Sequence, residues 1–247
     1  MVFDTVTIIA ILVAFALGGI LKGATGAGAP VVTIPVIAAF YDVRIAVIIM
    51  VVPNLLTNIG QLYQFRKTIL PSLFTVSFAL GGGIGAFIGT ILLANLSIKI
   101  LTLSVAFIVI IYILLKLIVP SWKLIYEKAA KLVFIMGTAG GVLQGAAGLS
   151  APISITFLNA MKLERNQFIP TISVYFGVMS IFQMPTLYYY DFLNFEIILA
   201  SLISTVVLLS FMPLGSWVAK SVSKENFDKI TLILLAFIAL RIIYLNL

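Results

Sequence analysis

Six apolar runs, at 6–21, 45–62, 70–93, 100–119, 197–219 and 230–245, govern what this chain can become. Each approaches the roughly 20 residues with which an α-helix crosses a hydrocarbon core about 30 Å thick. Hydrocarbon offers the backbone no hydrogen-bond partner, so segments that cross it pair their own N–H and C=O groups as helix. Charged residues make up only 9% of the 247 positions and hydrophobic residues 62%, whereas a soluble domain carries about 25% charged residues. The prediction is an all-α polytopic membrane protein whose solvent is the lipid bilayer. The longest polar stretch, 120–131, is too short to fold alone. The N-terminal run lacks the basic start of a signal peptide, having Asp4 instead, and is read as a retained helix.

Composition also removes chemistry. The chain has no cysteine and no histidine, which excludes thiol chemistry, Cys metal sites and the commonest acid–base catalyst. All eight acids (Asp4, Asp42, Glu127, Glu164, Asp191, Glu196, Glu225 and Asp228) fall at or near the ends of runs. A proton-coupled cation carrier usually needs a carboxylate or histidine within the membrane. An intramembrane hydrolase would need a His–Ser pair, a Cys or an acid pair. No nucleotide-binding loop is present. The reading is therefore no enzyme and no cofactor. The net charge is +7, but the basic residues flank apolar runs, where they orient the chain rather than bind nucleic acid.

Residues 19–30 read GILKGATGAGAP and residues 141–152 read GVLQGAAGLSAP, with seven of twelve positions identical at an offset of 122. At the same offset Asp42 faces Glu164 and Gln61 faces Gln183. At an offset of 130, Gly85 matches Gly215 and Ala106-Phe107-Ile108 matches Ala236-Phe237-Ile238. This reads as a duplication: repeat one at 1–119, a linker loop at 120–130 and repeat two at 131–247. Basic residues collect on the cytoplasmic side of membrane proteins. Arg66-Lys67, the 116–131 loop and the 220–229 segment are the richest in them, while 191–196 holds two acids and no base. These constraints turn 131–162 into a hairpin that enters and leaves on the cytoplasmic side, and 4–44 into one that starts outside. The expected fold has two inverted repeats, each a broken re-entrant helical hairpin followed by three transmembrane helices. It sits in the cell membrane, with the N-terminus external and the 120–130 loop cytoplasmic. A parallel four-plus-four bundle is the competing arrangement.

Each hairpin tip packs glycine, small residues and one proline, which makes continuous helix costly at about 1 kcal/mol per interior Gly relative to Ala. Proline suits the first turn of a helix, so short helices are expected to start near Pro30 and Pro152. Their N-termini carry about half a positive charge each. Two such ends meeting near the midplane would hold a small anion. The candidate substrate-binding residues are Lys22, Gly23, Thr25, Gly26 and Gly28 at the first tip, and Gln144, Gly145, Gly148 and Ser150 at the second. Asn54, Asn58, Gln61 and Gln183 join them from the adjoining spans. Plain packing competes with this reading, because small residues spaced by four let helices approach closely. For the row Gly81, Gly85 and Gly89, packing is preferred. Lys22 has two readings, substrate contact or capping of a broken helix; an intramembrane lysine is costly and so is a functional candidate.

The paired tips, the chain length and the duplicated layout resemble the sulfite exporter TauE/SafE family, also called the 4-toluene sulfonate uptake permeases, over the full chain. Where that family usually has adjacent glycines before its proline, this chain has Gly26-Ala27-Gly28-Ala29-Pro30 and Gly148-Leu149-Ser150-Ala151-Pro152. The resemblance implies a carrier, expected to export a small anion such as sulfite or an organosulfonate by alternating access around the tips. An anion channel of the same architecture and a non-transporting membrane subunit are the alternatives. Monomer and homodimer both remain open.

Overall fold

The computed structural model describes residues 5–118, 123–221 and 224–246, with side chains omitted at 220–230 and beyond 244. The expected placements of Asp4, of the start of the 120–130 linker and of the 220–229 side chains lie outside the described residues. The chain is all-helical, with no strand among the described residues. Five helices, α1 (Thr5–Thr25), α2 (Ala29–Ala38), α3 (Val43–Phe65), α4 (Ser72–Asn95) and α5 (Ile98–Ile118), are followed by five more in the same order of lengths. These are α6 (Tyr126–Ala147), α7 (Ser154–Ala160), α8 (Arg165–Tyr189), α9 (Phe195–Ser221) and α10 (Lys224–Asn246). Seven of them (α1, α3, α4, α5, α6, α8 and α9) are long and apolar enough to cross a membrane. Large apolar side chains such as Val206, Trp217, Ile233 and Phe237 stay exposed on the outer surface, as lipid-facing positions do and a water-facing surface rarely would.

Side-chain contacts fix the relative directions of the helices. Asn54 on α3 bonds Ser180 on α8, and Thr68 just after α3 bonds the carbonyl of Asn166 at the start of α8, so α3 and α8 are antiparallel. Phe78 stacks on Tyr175, and Asn95 donates to the Tyr190 hydroxyl, so α4 and α8 run the same way. The glycine row of α4 meets α6 in rising register: an added Cβ at Gly81 would lie 2.6 Å from the Phe134 oxygen, at Gly85 2.8 Å from the Val142 nitrogen, and at Gly89 2.8 Å from the Ala146 nitrogen. Helices α4 and α6 are therefore parallel. The same holds for α1 and α9, where Gly19 abuts Leu208 and Gly23 abuts Met212. Helix α2 turns back along α1, with the Thr33 hydroxyl on the Ala14 carbonyl and Ala29 beside Gly18. Helix α7 turns back along α6: Ser154 lies by Gly140, and Leu124, just before α6, donates to the Ala160 carbonyl at its end.

Glycine without a side chain is what lets α4 touch α6, and α1 touch α9, backbone to backbone. The Gly81, Gly85 and Gly89 row is thus a packing seam, opposed by Gly137, Gly141 and Gly145 on α6. Gly145 has the Ala86 oxygen and the Thr90 nitrogen against it, and Gly23 has the Met212 backbone. Both are candidate substrate-binding residues by sequence. At both, close helix contact is the reason for the missing side chain.

The hairpin turns rely on the left-handed backbone that glycine adopts without steric cost. Gly26 and Gly28 have φ of 83° and 89°, and Gly148 has 70°. Helix α2 starts at Ala29 with Pro30 in its first turn, as expected. Helix α7 starts at Ser154, two residues beyond Pro152, after a turn in which the Ser150 carbonyl accepts from the Ser154 amide and hydroxyl.

Candidate functional site

The two turns do not close on one shared point. An added Cβ at Gly26 would meet Ile169, near the start of α8, whereas one at Gly148 would meet Ile34 and Val47, the latter near the start of α3. Since α3 and α8 are antiparallel, those positions lie on opposite sides of the Asn54–Ser180 contact. The expectation of two tips meeting at the midplane is corrected by helix length. At about 1.5 Å per residue, the 21 residues of α1 and the 22 of α6 reach roughly 32 Å and carry each turn past the centre.

What occupies the centre is a chain of buried polar side chains. The Lys22 amine donates to Asn58 Oδ1 at 2.9 Å. Asn58 Nδ2 donates to Asn54 Oδ1 at 2.9 Å and to the Asn54 carbonyl at 2.6 Å. Asn54 Nδ2 donates to Ser180 Oγ at 3.2 Å, and that hydroxyl donates to the Phe176 carbonyl. Four residues from α1, α3 and α8 are linked in this way across the seam between the two sets of five helices. The spacing of Asn54 and Asn58 puts them on one face of α3, one turn apart. Lys22 is 1% exposed. Its amine lies 6.0 Å from the centre of the Phe176 ring, which adds a cation–π attraction. Asp42, Glu127, Glu164, Asp191 and Glu196, the acids with described side chains, all cap, begin or follow helices, and none neutralises it. Lys22 bonds a side chain, not the backbone carbonyls that a cap would use.

Two cavities open beside the first turn. One, of about 350 Å³, is bordered by Thr25, Gly28, Lys116, Asn159 and Arg165 among others. The second, of about 280 Å³, is bordered by Gly23, Gln61, Gln64, Arg165, Asn166 and Ser216 with neighbouring apolar groups. Arg165 stands between them and donates to the Gly23 carbonyl at 3.1 Å, an oxygen that also accepts from Ser216 Oγ. Thr25 turns its hydroxyl onto the carbonyls of Leu21 and Ala27, fastening the turn.

The remaining candidates are dispersed. Gln144 accepts from the Ser150 amide and so caps the second turn, while Ser150 pairs with Ser154. Gln61 Oε1 and Gln183 Nε2 are buried with no hydrogen-bond partner. Sequence reasoning passed over Arg165, Lys116, Asn159 and Ser216. Arg165 and Lys116 sit at span ends, where basic residues are expected for orientation alone, so their spacing gave no signal of a cavity. The interhelical bond from Tyr175 to the Gly137 carbonyl was equally invisible in the pattern.

No curated protein and no solved structure matches this chain. The family model described as Sulfite exporter TauE/SafE matches residues 10–242, from within α1 to within α10, so it takes in both hairpins, both cavities and the central polar chain. With nearly the whole chain accounted for, it belongs to the sulfite exporter TauE/SafE family.

Proposed function

We propose that the chain is a secondary transporter that exports a small anion such as sulfite or an organosulfonate, by alternating access between two inverted five-helix repeats, 1–119 and 131–247. Family membership makes it a multi-pass membrane transporter of sulfur-containing anions; the choice of anion, the direction and the mechanism are this article's reading. The observation that carries it is the buried Lys22 amine, without a carboxylate partner among the described residues, at the seam between antiparallel α3 and α8. An ionisable group without a counter-charge inside a membrane protein is costly and marks a pathway. Pairing with a transiting anion supplies the missing negative charge. The inverted reading is supported by the parallel pairs α4/α6 and α1/α9 and the antiparallel pair α3/α8.

The face at which α3 and α5 end and α6 and α8 begin carries Arg66, Lys67, Lys116, Lys123, Lys128, Lys162 and Arg165. The opposite face carries Asp42, Asp191 and Glu196 together with three bases, Arg44, Lys99 and Arg241, fewer than the seven of the first face. By the positive-inside rule the basic face is cytoplasmic, which makes the two cavities cytoplasmic openings. Cysteines introduced at Lys123 and at Asp191 are expected to react with a membrane-impermeant maleimide from opposite sides of the membrane; reaction from one side would overturn this orientation.

The decisive assay is counter-flow in proteoliposomes. Proteoliposomes that hold the purified protein and are preloaded with unlabelled sulfite or sulfoacetate should accumulate the labelled anion, with saturation. Flux that neither saturates nor counter-flows would indicate a channel, and no flux with any of sulfite, sulfoacetate, sulfolactate, thiosulfate or short carboxylates would end the transporter reading.

A further inference from the structure

Gln61 is the polar side chain that the central chain leaves out. It lies one turn beyond Asn58 on α3, is 6% exposed, and its Oε1 has no partner. An unpaired buried amide is destabilising, and a leucine would fill the same space without that cost. Turned over about its last torsion, the carboxamide presents Nε2 in place of Oε1, and an oxyanion in the cavity that it borders then gives this donor its partner. That cavity holds the Arg165 guanidinium and the amides of Gln64 and Asn166 among apolar neighbours, with the Gly23 backbone and the Ser216 hydroxyl bonded to it beside them. A guanidinium has five N–H groups in a planar fork that matches two oxygens of an oxyanion, and the bond to the Gly23 carbonyl uses one of them. About 280 Å³ is ample for a small anion, since a water takes roughly 30 Å³. Gln183, the counterpart of Gln61 at an offset of 122, is also buried with one carboxamide atom unpaired, there Nε2.

We propose that the cavity between Gln61 and Arg165 is an oxyanion subsite on the basic face, where a sulfite, sulfonate or carboxylate head group waits before it reaches Lys22. Arg165 takes two oxygens in its fork, and Nε2 of the turned Gln61 carboxamide closes on the remainder. Lys22 and Gly23 are adjacent in sequence, so the residue that supplies the central amine and one that borders the subsite are consecutive on α1. This assignment rests on the transporter reading and adds to it a place of entry and the residues that recognise the head group.

The test uses the full chain purified in nanodiscs, with sulfite and sulfoacetate as probes, and measures binding by calorimetry and counter-flow in liposomes. Gln61→Leu should melt at or above the temperature of the unmodified protein, since it removes an unpaired buried amide, yet bind about tenfold more weakly. Arg165→Gln should lose at least tenfold in affinity, with Arg165→Lys in between, because a lysine keeps the charge and loses the fork. A Gln61→Leu protein that binds and transports like the unmodified one overturns the subsite while leaving the transporter reading intact, and so does an Arg165→Gln protein of unchanged affinity. If the unmodified protein neither binds nor moves either probe, the subsite and the transporter reading fall together.

Discussion

Valine at Gly85 should prevent the protein from assembling. The α4 and α6 backbones touch at this point: the added Cβ would press on the Thr138 carbonyl oxygen and lie 2.8 Å from the Val142 nitrogen and 2.9 Å from the Thr138 carbonyl carbon. Its neighbours are main-chain atoms of a helix, and they cannot swing aside as the tip of a side chain would. Overpacking a well-fitted core usually costs about 1–3 kcal/mol. Here the whole row from Gly81 to Gly89 would be wedged open, so the loss should reach or exceed the top of that range. The measurement is the yield of monodisperse protein after detergent extraction, with a near-complete loss expected for Gly85→Val. Gly60 and Gly177 supply the contrast, since an added Cβ at either meets nothing within 4 Å. Alanine at those helical positions should be neutral or stabilising by up to ~1 kcal/mol. A monodisperse Gly85→Val protein with normal thermal stability would mean that the α4–α6 contact is not what holds the fold together.

Replacement of Lys22 by methionine should separate stability from transport. Lys22 lies fully within the interior and donates to the Asn58 side chain. Removing a charge from water costs several kcal/mol even after relaxation, and buried ionic groups replaced by apolar ones of similar volume often leave a protein as stable or more so. Methionine keeps the length and flexibility of the lysine stem. The gain is partly offset because Asn58 Oδ1 loses its donor, so the Lys22→Met protein is expected to melt near the temperature of the unmodified one and to transport at least tenfold more slowly. Arginine is not a neutral control, because its fork has a different geometry. Unchanged flux would leave Lys22 no part in transport and the transporter reading without its main support.

The separation of the turns shows where pattern reading runs out. Gly23–Pro30 and their repeat were recognisable as breaks because glycine and proline interrupt helices locally. The depth of each break depends on how far α1 and α6 extend and tilt, which no local pattern encodes. The asparagines illustrate the other limit. Their spacing puts them on one face of α3, but it does not say whether that face looks at a pathway or at a neighbour. In the folded chain Asn58 takes Lys22 from α1 and Asn54 takes Ser180 from α8. Arg165 and Lys116 mark orientation by their place at span ends, and they also border the cavities beside the first turn.

The amino-acid sequence alone determined the solvent and the class of structure. Apolar runs of bilayer length must be helices because hydrocarbon leaves the backbone no other partner, and the glycine–proline breaks recur wherever the repeated segment recurs. Helix partnership was decided only in three dimensions. Several glycine rows of equal spacing could have paired with one another, and the choice of α6 against α4 and α9 against α1 comes from which pairs allow close backbone approach along their whole length at once. That pairing interlocks the two sets of helices. It also brings Lys22, Asn58, Asn54 and Ser180, spread over more than 150 positions of chain, into one hydrogen-bonded line.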